Sequence, residues 1–475
     1  MARTASPKGL TRPAQRTLAA ILALFALVVL VPETVRADIN PWMISSVFDP
    51  KRWDSGGAYS ATPWMHPAPN EPNMGWGMFD PGEAIETGNW QKMSSFSGSW
   101  GGARDRLQEL GFGFSTAYFG QLAANPVGGK REGGTSWRGD LTGAVFVDLE
   151  RVAGWSRTFF TASASWKTGN PTLSTNYVGN ELPTQLDAFG DPNAVRLVHL
   201  SLSKQLFDNT TELILGRVIS GEDFASLRLA CTSLNQGLCG NPFAAARNID
   251  FPTFPSAVWG GVVKVKPRHD WMALAGTYLV YPGFRERTDN GVNFSAPDGS
   301  GALTLAQFEY LAGREPGSKI LRGRYFVGGY YSTERVHKWR DTSAPEVGGW
   351  YGFYAMGEQA IWSPDGTDRG VSLWTALSWA PPDRNKIQFM GAGGVLWQGI
   401  FGSRPNDGLA VLGAYASWSD RVPDTTGEIL IEANYRFTLA PWFWVEPDIQ
   451  GILNPSGSSK IRDAIIVGFA VGFVI

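Results

Sequence analysis

From Leu110 to the end, this chain is a succession of short runs in which apolar and polar side chains alternate, each closed by a turn signal. The clearest is GEILIEANYRFTL, residues 427–439. Side chains of a strand alternate between its two faces. Glu428, Leu430, Glu432, Asn434, Arg436 and Thr438 therefore share one face, and Ile429, Ile431, Ala433, Tyr435, Phe437 and Leu439 the other. Only Leu430 breaks the sorting. Runs such as TFFTASASWK, VRLVHLSLSKQLF, WMALAGTYLVY, WYGFYAMGEQAIW and DAIIVGFAVGFVI, with a weaker one near Gly301 to Leu311, bring the total to about sixteen. Strands of soluble proteins average five or six residues, whereas roughly ten span a bilayer when tilted. Short connections (DN, SPDG, PPDRN) alternate with longer ones, the pattern of an all-β, antiparallel transmembrane barrel.

The N-terminus agrees with that compartment. Arg3, Lys8, Arg12 and Arg16 precede an apolar run from Thr17 to Val31, and Val35 and Ala37 occupy the small-residue exit. This reads as a secretory signal peptide over residues 1–37, cleaved after Ala37; the run is short for an uncleaved anchor. Cleavage removes five of the 41 basic residues and one of the 43 acidic ones, leaving 36 against 42. A mildly acidic chain is no natural partner of nucleic acid. Past Ala37 no stretch reaches eighteen apolar residues, so the chain is either a soluble periplasmic protein or a barrel, since only helices and closed barrels cross a bilayer. Residues 38–97, dense in Pro, Gly, Trp and Met, are expected to form an irregular periplasmic leader, with the barrel over 98–475.

Strand number decides which face of residues 427–439 is outside. A sixteen-stranded barrel is too wide to be filled by its wall and encloses an aqueous lumen. Glu428, Glu432, Asn434 and Arg436 are then expected to face water inside, and Ile431, Ala433 and Tyr435 to face lipid. Trp155, Trp166, Trp350, Trp362, Trp442 and Trp444, at run ends, are expected in interface girdles.

Several blocks in fixed order then become familiar. GSWGGARDRLQELGFGF (98–114), GRVISGEDFA (216–225), CTSLNQGLCGNPF (231–243), FPSAVWGGVVKVKP, NGVNFSAPDG, the long stretch from Gly349 to Asp420, and PWFWVEPDIQGILNPSG resemble the carbohydrate-selective porins of the OprB family. The resemblance covers Gly98 to Ile475. It implies a sixteen-stranded outer-membrane barrel with a constricted, sugar-permeable pore, in contact with lipid and lipopolysaccharide and inserted by the barrel-assembly machinery. Two features depart from the family: the long leader, and Ile475 at the end where Phe is usual, although Phe473 is close by.

A constriction that selects sugars needs polar side chains for hydroxyls and an aromatic for the ring face. The segment Arg217 to Arg247 holds both kinds, with Arg217, Glu222, Asp223, Arg228, Asn235, Gln236, Asn241 and Arg247. It is too long for a turn, so it is either an exposed surface loop or an extracellular loop folded into the lumen. Cys231 and Cys239 are the only cysteines. In an oxidising compartment they are expected to form a disulfide pinning the loop, which favours the inward reading. Together with Glu428, Glu432 and Arg436 these residues form the expected pore lining. Arg217, Arg228, Arg322 and Arg324 beside acids predict weak ion selectivity.

Other classes have less support. The four His, at 66, 199, 269 and 337, are scattered, so no metal or cofactor is expected. No GxSxG or HExxH element occurs, and Glu222 and Asp223, as neighbours on extended backbone, would point apart. A barrel hydrolase and a secreted carbohydrate-binding β protein stand behind the porin. Monomer and trimer both stay open.

Overall fold

The alternating runs become strands because β-branched and aromatic residues fit a pleated surface that is packed on one side and greasy on the other. The computed structural model describes residues 96–475 except 171, 187–193, 208–209, 269, 287, 314–318 and 365–368. The expected signal peptide and nearly all of the expected leader therefore lie outside the described residues. In order, the strands are β1 (Phe112–Gly129), β2 (Gly134–Asp148), β3 (Thr158–Gly169), β4 (Ala194–Leu206), β5 (Thr211–Val218), β6 (Val258–Arg268), β7 (Trp271–Val280), β8 (Gly301–Ala312) and β9 (Gly323–Ser332). A miniature hairpin, β10 (Val336–His337) and β11 (Glu346–Val347), precedes β12 (Trp350–Trp362), β13 (Gly370–Trp379), β14 (Ile387–Gln398), β15 (Gly408–Trp418), β16 (Gly427–Ala440), β17 (Phe443–Leu453) and β18 (Arg462–Val474). Among the described residues, all except β10 and β11 make one closed antiparallel barrel of sixteen strands, with β9 pairing β12 and β1 pairing β18. Closure removes the free edges and satisfies the wall's backbone groups without water.

The Phe96 N–H donates to the Val474 carbonyl, so both ends of the described chain meet at one rim. Connections there are short, such as 441–442, whereas the opposite rim carries 170–193, 219–257, 281–300 and 333–349. Short periplasmic turns and long extracellular loops orient the barrel.

In β16 the faces fall as the alternation predicts: Ile429, Ile431, Phe437 and Leu439 are exposed, and Glu428, Leu430, Glu432, Asn434 and Arg436 are buried inside. Two expectations are corrected. Of the six girdle tryptophans, Trp155, Trp166 and Trp362 are exposed, but Trp350 is buried within the barrel, Trp444 shares the inner face of β17 with Glu446, and Trp442 packs at the periplasmic rim on Phe96, Phe443 and Phe473. Position at a run end does not fix which face a side chain takes.

The second correction concerns the interior. It is in large part a packed apolar core, in which Trp374, Met390, Leu412, Leu430, Ile452 and Ile466 from the inner faces of β13 to β18 bury against Leu173, Leu182, Leu227, Leu229 and Phe243 of inward-lying connections. Leu430, the residue that spoiled the alternation, is polar-face only by position; its partner is this core.

Candidate functional site

The longest connection, residues 219–257, lies inside the wall and is fastened to one strand after another. The Ala225 N–H donates to Gln307 on β8 (2.8 Å), and the Ser226 carbonyl accepts from Arg324 on β9 (2.8 Å). The Leu229 N–H donates to Glu358 on β12 (3.2 Å) and the Leu234 N–H to Glu432 on β16 (2.7 Å). Asn235 donates to Gln450 on β17 (2.9 Å), and the Leu234 carbonyl accepts from Gln121 on β1 (3.0 Å). Carboxylates and amides of the wall thus take up backbone groups that would otherwise be orphaned, as buried polar groups require. On the way back, the Asn241 amide donates to the Phe224 carbonyl (2.7 Å), and Asn248, ending the short helix Phe243–Asn248, exchanges two hydrogen bonds with Ile387.

A second inward connection joins it. The Glu181 and Leu182 N–H groups donate to the Glu428 carboxylate at 2.9 and 2.8 Å, and the Ser456 N–H donates to it at 2.6 Å. Glu181 itself bridges Arg247 (2.7 Å) and Lys386. Burial alone would push its carboxyl up, but the two cations hold it below the ordinary range.

Cys231 and Cys239 are joined by a disulfide. It packs with Phe119, Leu186, Leu234 and Ala470, and Trp444 lies against the cluster. One face of the Trp444 ring is covered by the Arg436 guanidinium, 4.0 Å from its centroid, and the ring sits on Gly472, where there is no room for a Cβ. Arg436 also pairs with Glu446 (2.8 Å).

Several of the expected pore-lining residues are therefore fasteners. Glu428, Glu432 and Asn434 face inward, as expected, but are covered by the connections they bind rather than by open water. Asn235 and Asn241 are buried inside the segment itself. Phe224 and Phe243, its aromatics, are core residues and offer no ring face. Arg217 does not reach the lumen: it pairs across strands with Leu200 and Trp259 on the outward face, where the Ala257 carbonyl (2.7 Å), the Asn293 carbonyl and Asp289 hold it beneath the loop 281–300. Glu222 and Asp223 are not on extended backbone; Glu222 ends a helical turn, Ser220–Glu222, that Asp223 caps, and they pair with His199 (2.8 Å) and Lys264 (2.6 Å) respectively. Arg228 and Arg247 are half-buried. Arg324 lies inside and pairs with Glu309 (2.8 Å).

One sector of the wall is different. The inner faces of β2, β3 and β4 present Ser136, Arg138, Asp140 and Thr142, then Thr161, Ser163, Ser165 and Lys167, then Arg196, His199, Ser201 and Ser203. Asp140 accepts from Thr142 and Ser165. Glu212 and Lys264, a cross-strand pair at 3.5 Å on β5 and β6, continue the strip beside Asp223. Sequence reasoning missed this sector, although its signal was available: SASASWK and RLVHLSLSK alternate small or charged polar residues with apolar ones.

Comparison with known proteins agrees with this architecture. A family model described as carbohydrate-selective porin, OprB family, matches residues 134–474. Porin B of Pseudomonas aeruginosa is 27% identical over 413 residues, 79% of this chain and 90% of its own length. The high-pH structure of Pseudomonas putida OprB matches with a TM-score of 0.75 at 22% identity, covering 82% of this chain and 100% of that one. Its low-pH counterpart gives 0.54 at 19% identity, over 80% and 98%. The chain belongs to the OprB family of carbohydrate-selective porins, and is an outer-membrane β-barrel that passes sugars.

Proposed function

We propose that sugars cross this porin along the polar sector of β2 to β4, and that residues 219–257 form the constriction by filling the remainder of the barrel. One observation carries the reading: the connections pack apolar side chains against the inner faces from β12 to β18, whereas the inner faces of β2, β3 and β4 carry hydroxyls and charges. Ser and Thr side chains leave room, donate and accept, and match a polyol's own hydroxyls. Arg138 and Lys167 alongside Asp140, Glu222 and Asp223 provide the stronger hydrogen bonds of charged groups without a single dominant sign, while Arg196 is spent on the Phe284 and Arg285 carbonyls of the loop 281–300. Conductance in planar bilayers, with liposome swelling in added sugars, tests the path. Ser201→Trp is expected to cut both conductance and sugar flux, and unchanged values in a folded barrel would overturn the assignment.

The remaining assignments rest on the same frame. The disulfide loop and Glu432 hold the constriction in place. Glu222 and Asp223 are tied to His199 and Lys264, an arrangement suited to solvation of a passing solute rather than to acid–base chemistry, so transport without catalysis is proposed. Residues 1–37 direct export and 38–97 remain in the periplasm. Insertion by the assembly machinery uses the C-terminal strand, where Phe473 stacks on Phe443 at 4.7 Å between ring centroids. The outward aromatic surface contacts lipid and lipopolysaccharide.

A further inference from the structure

We propose that Arg285 and Arg340, from two different extracellular loops, are positioning residues that latch the returning leg of the constriction and thereby set sugar discrimination. The inference rests on the reading of 219–257 as the constriction. Arg285, in the loop 281–300, donates to three carbonyls of that leg: Ala246 (2.9 Å), Ile249 (2.8 Å) and Phe251 (3.1 Å). Arg340, in the loop 333–349, donates to the Asn248 carbonyl (3.3 Å) and to the Asp250 carboxylate (3.2 Å). Glu334, from the same loop as Arg340, accepts from the Asp250 N–H (3.3 Å) and lies 3.5 Å from Arg340. Five of the six positions from Ala246 to Phe251, all but Arg247, are thus gripped.

The grip is built rather than incidental. A guanidinium has five donors in a rigid fork, and Arg285 uses it to take the Ala246 carbonyl, which the helix ending at Asn248 leaves without its amide because the Asp250 N–H turns to Glu334, together with two carbonyls beyond the helix. Trp339 and Arg340 both hold left-handed backbone, with φ of 54° and 57°, a conformation unfavourable for non-glycine residues that persists where the surroundings demand it. It brings Arg340 inward from the turn between β10 and β11. The leg it grips carries Arg247, which pairs with Glu181, so the latch fixes one boundary of the pore from the extracellular side. The wall carboxylates described above hold the outgoing leg; nothing in them reaches 246–251.

Hydrogen exchange and bilayer recording of the full-length porin test the latch together, in Arg285→Gln, Arg285→Lys and Arg340→Gln. Amides of 243–251 are expected to exchange about ten-fold faster in both Gln variants, with those of β14 and β16 unchanged. The concentration of sugar needed for half-block should rise about three-fold or more, and Arg285→Lys, which keeps charge but not the fork, should fall between. Arg340→Gln keeps the test decisive if the Arg285 variants fail to fold, because Arg340 makes fewer contacts. Unchanged exchange at 243–251 would overturn the latch. Faster exchange with unaltered conductance and block would retain the latch as a tether but overturn the role of 219–257 as constriction, and with it the effect on discrimination.

Discussion

Ala433 and Asn434 are adjacent in the chain and meet opposite environments. Ala433 pairs with Val411 and Ile449 on the outer face, whereas the Asn434 amide donates to the Thr232 carbonyl (2.7 Å) inside. Ala433→Arg, at the middle of β16, should therefore cost roughly 2–4 kcal/mol in a vesicle folding assay, the expense of a cation at the bilayer midplane. Asn434→Arg should fold normally yet displace the segment at Thr232, so its mark appears in conductance. Equal folding of the two variants would reject the assignment of the two faces. Glu432 works at the same scale: its carboxylate takes the Ser233 hydroxyl, the Leu234 N–H and the Asn434 amide. Truncating it to Ala leaves those donors buried and unpaired, which costs more than the average hydrogen bond contributes.

As an element, the inward segment is held by burial before it is held by its disulfide. Phe224, Leu227, Leu229, Leu234, Leu238 and Phe243 are all buried, at roughly 1.5–3 kcal/mol each, against roughly 2–3 kcal/mol for closing a short loop. Replacing both cysteines by Ser should leave heat-resistant barrels with a seated segment and noisier current, whereas Leu229→Asp should open the pore outright; single-channel traces separate the two. Acidity acts on the same element from outside the membrane. Burial, and then the facing Asp250, push the Glu334 carboxyl up to about 7, opposed by Arg340. A carboxyl raised on folding stabilises the latch at low pH, and that contribution is lost as pH rises through about 7. Arg285, the other cation of the cluster, stays charged throughout. Protection at 246–251, after correction for the intrinsic base catalysis of exchange, should fall between about pH 4.5 and 7, and Glu334→Gln should abolish that fall. The wall was legible because period two and run length are properties of each strand by itself; even the weak run became β8. The site was legible only in part. An acid on the inner face, such as Glu432, reads the same whether it meets water or a backbone N–H from a residue 198 positions away, and Arg217 looked like a pore residue because the loop that covers it is distant in sequence.

At the level of the whole molecule, β1 and β18 close the barrel using residues from Phe112 to Val474 alone. Deleting 38–95 behind an intact signal peptide should still yield a heat-resistant barrel in the outer membrane, and loss of that band in seminative electrophoresis would assign the leader a part in assembly. Mixed charges along β2 to β4 should give weak ion selectivity, measured as a small reversal potential in a salt gradient, together with current that falls on addition of sugar. The core between the inward segment and the wall also imposes an order of events. Residues 219–257 leave the ribosome ahead of nearly everything they bind, since Gln307, Glu358, Glu432 and Gln450 all come later. Such distant pairings form slowly, after the chain between them has been placed. The segment has no complete seat until β16 and β17 are in position, so seating is expected to be a late step, and a barrel that closes ahead of it would be a wide, unselective hole through which the cell leaks while it builds this porin.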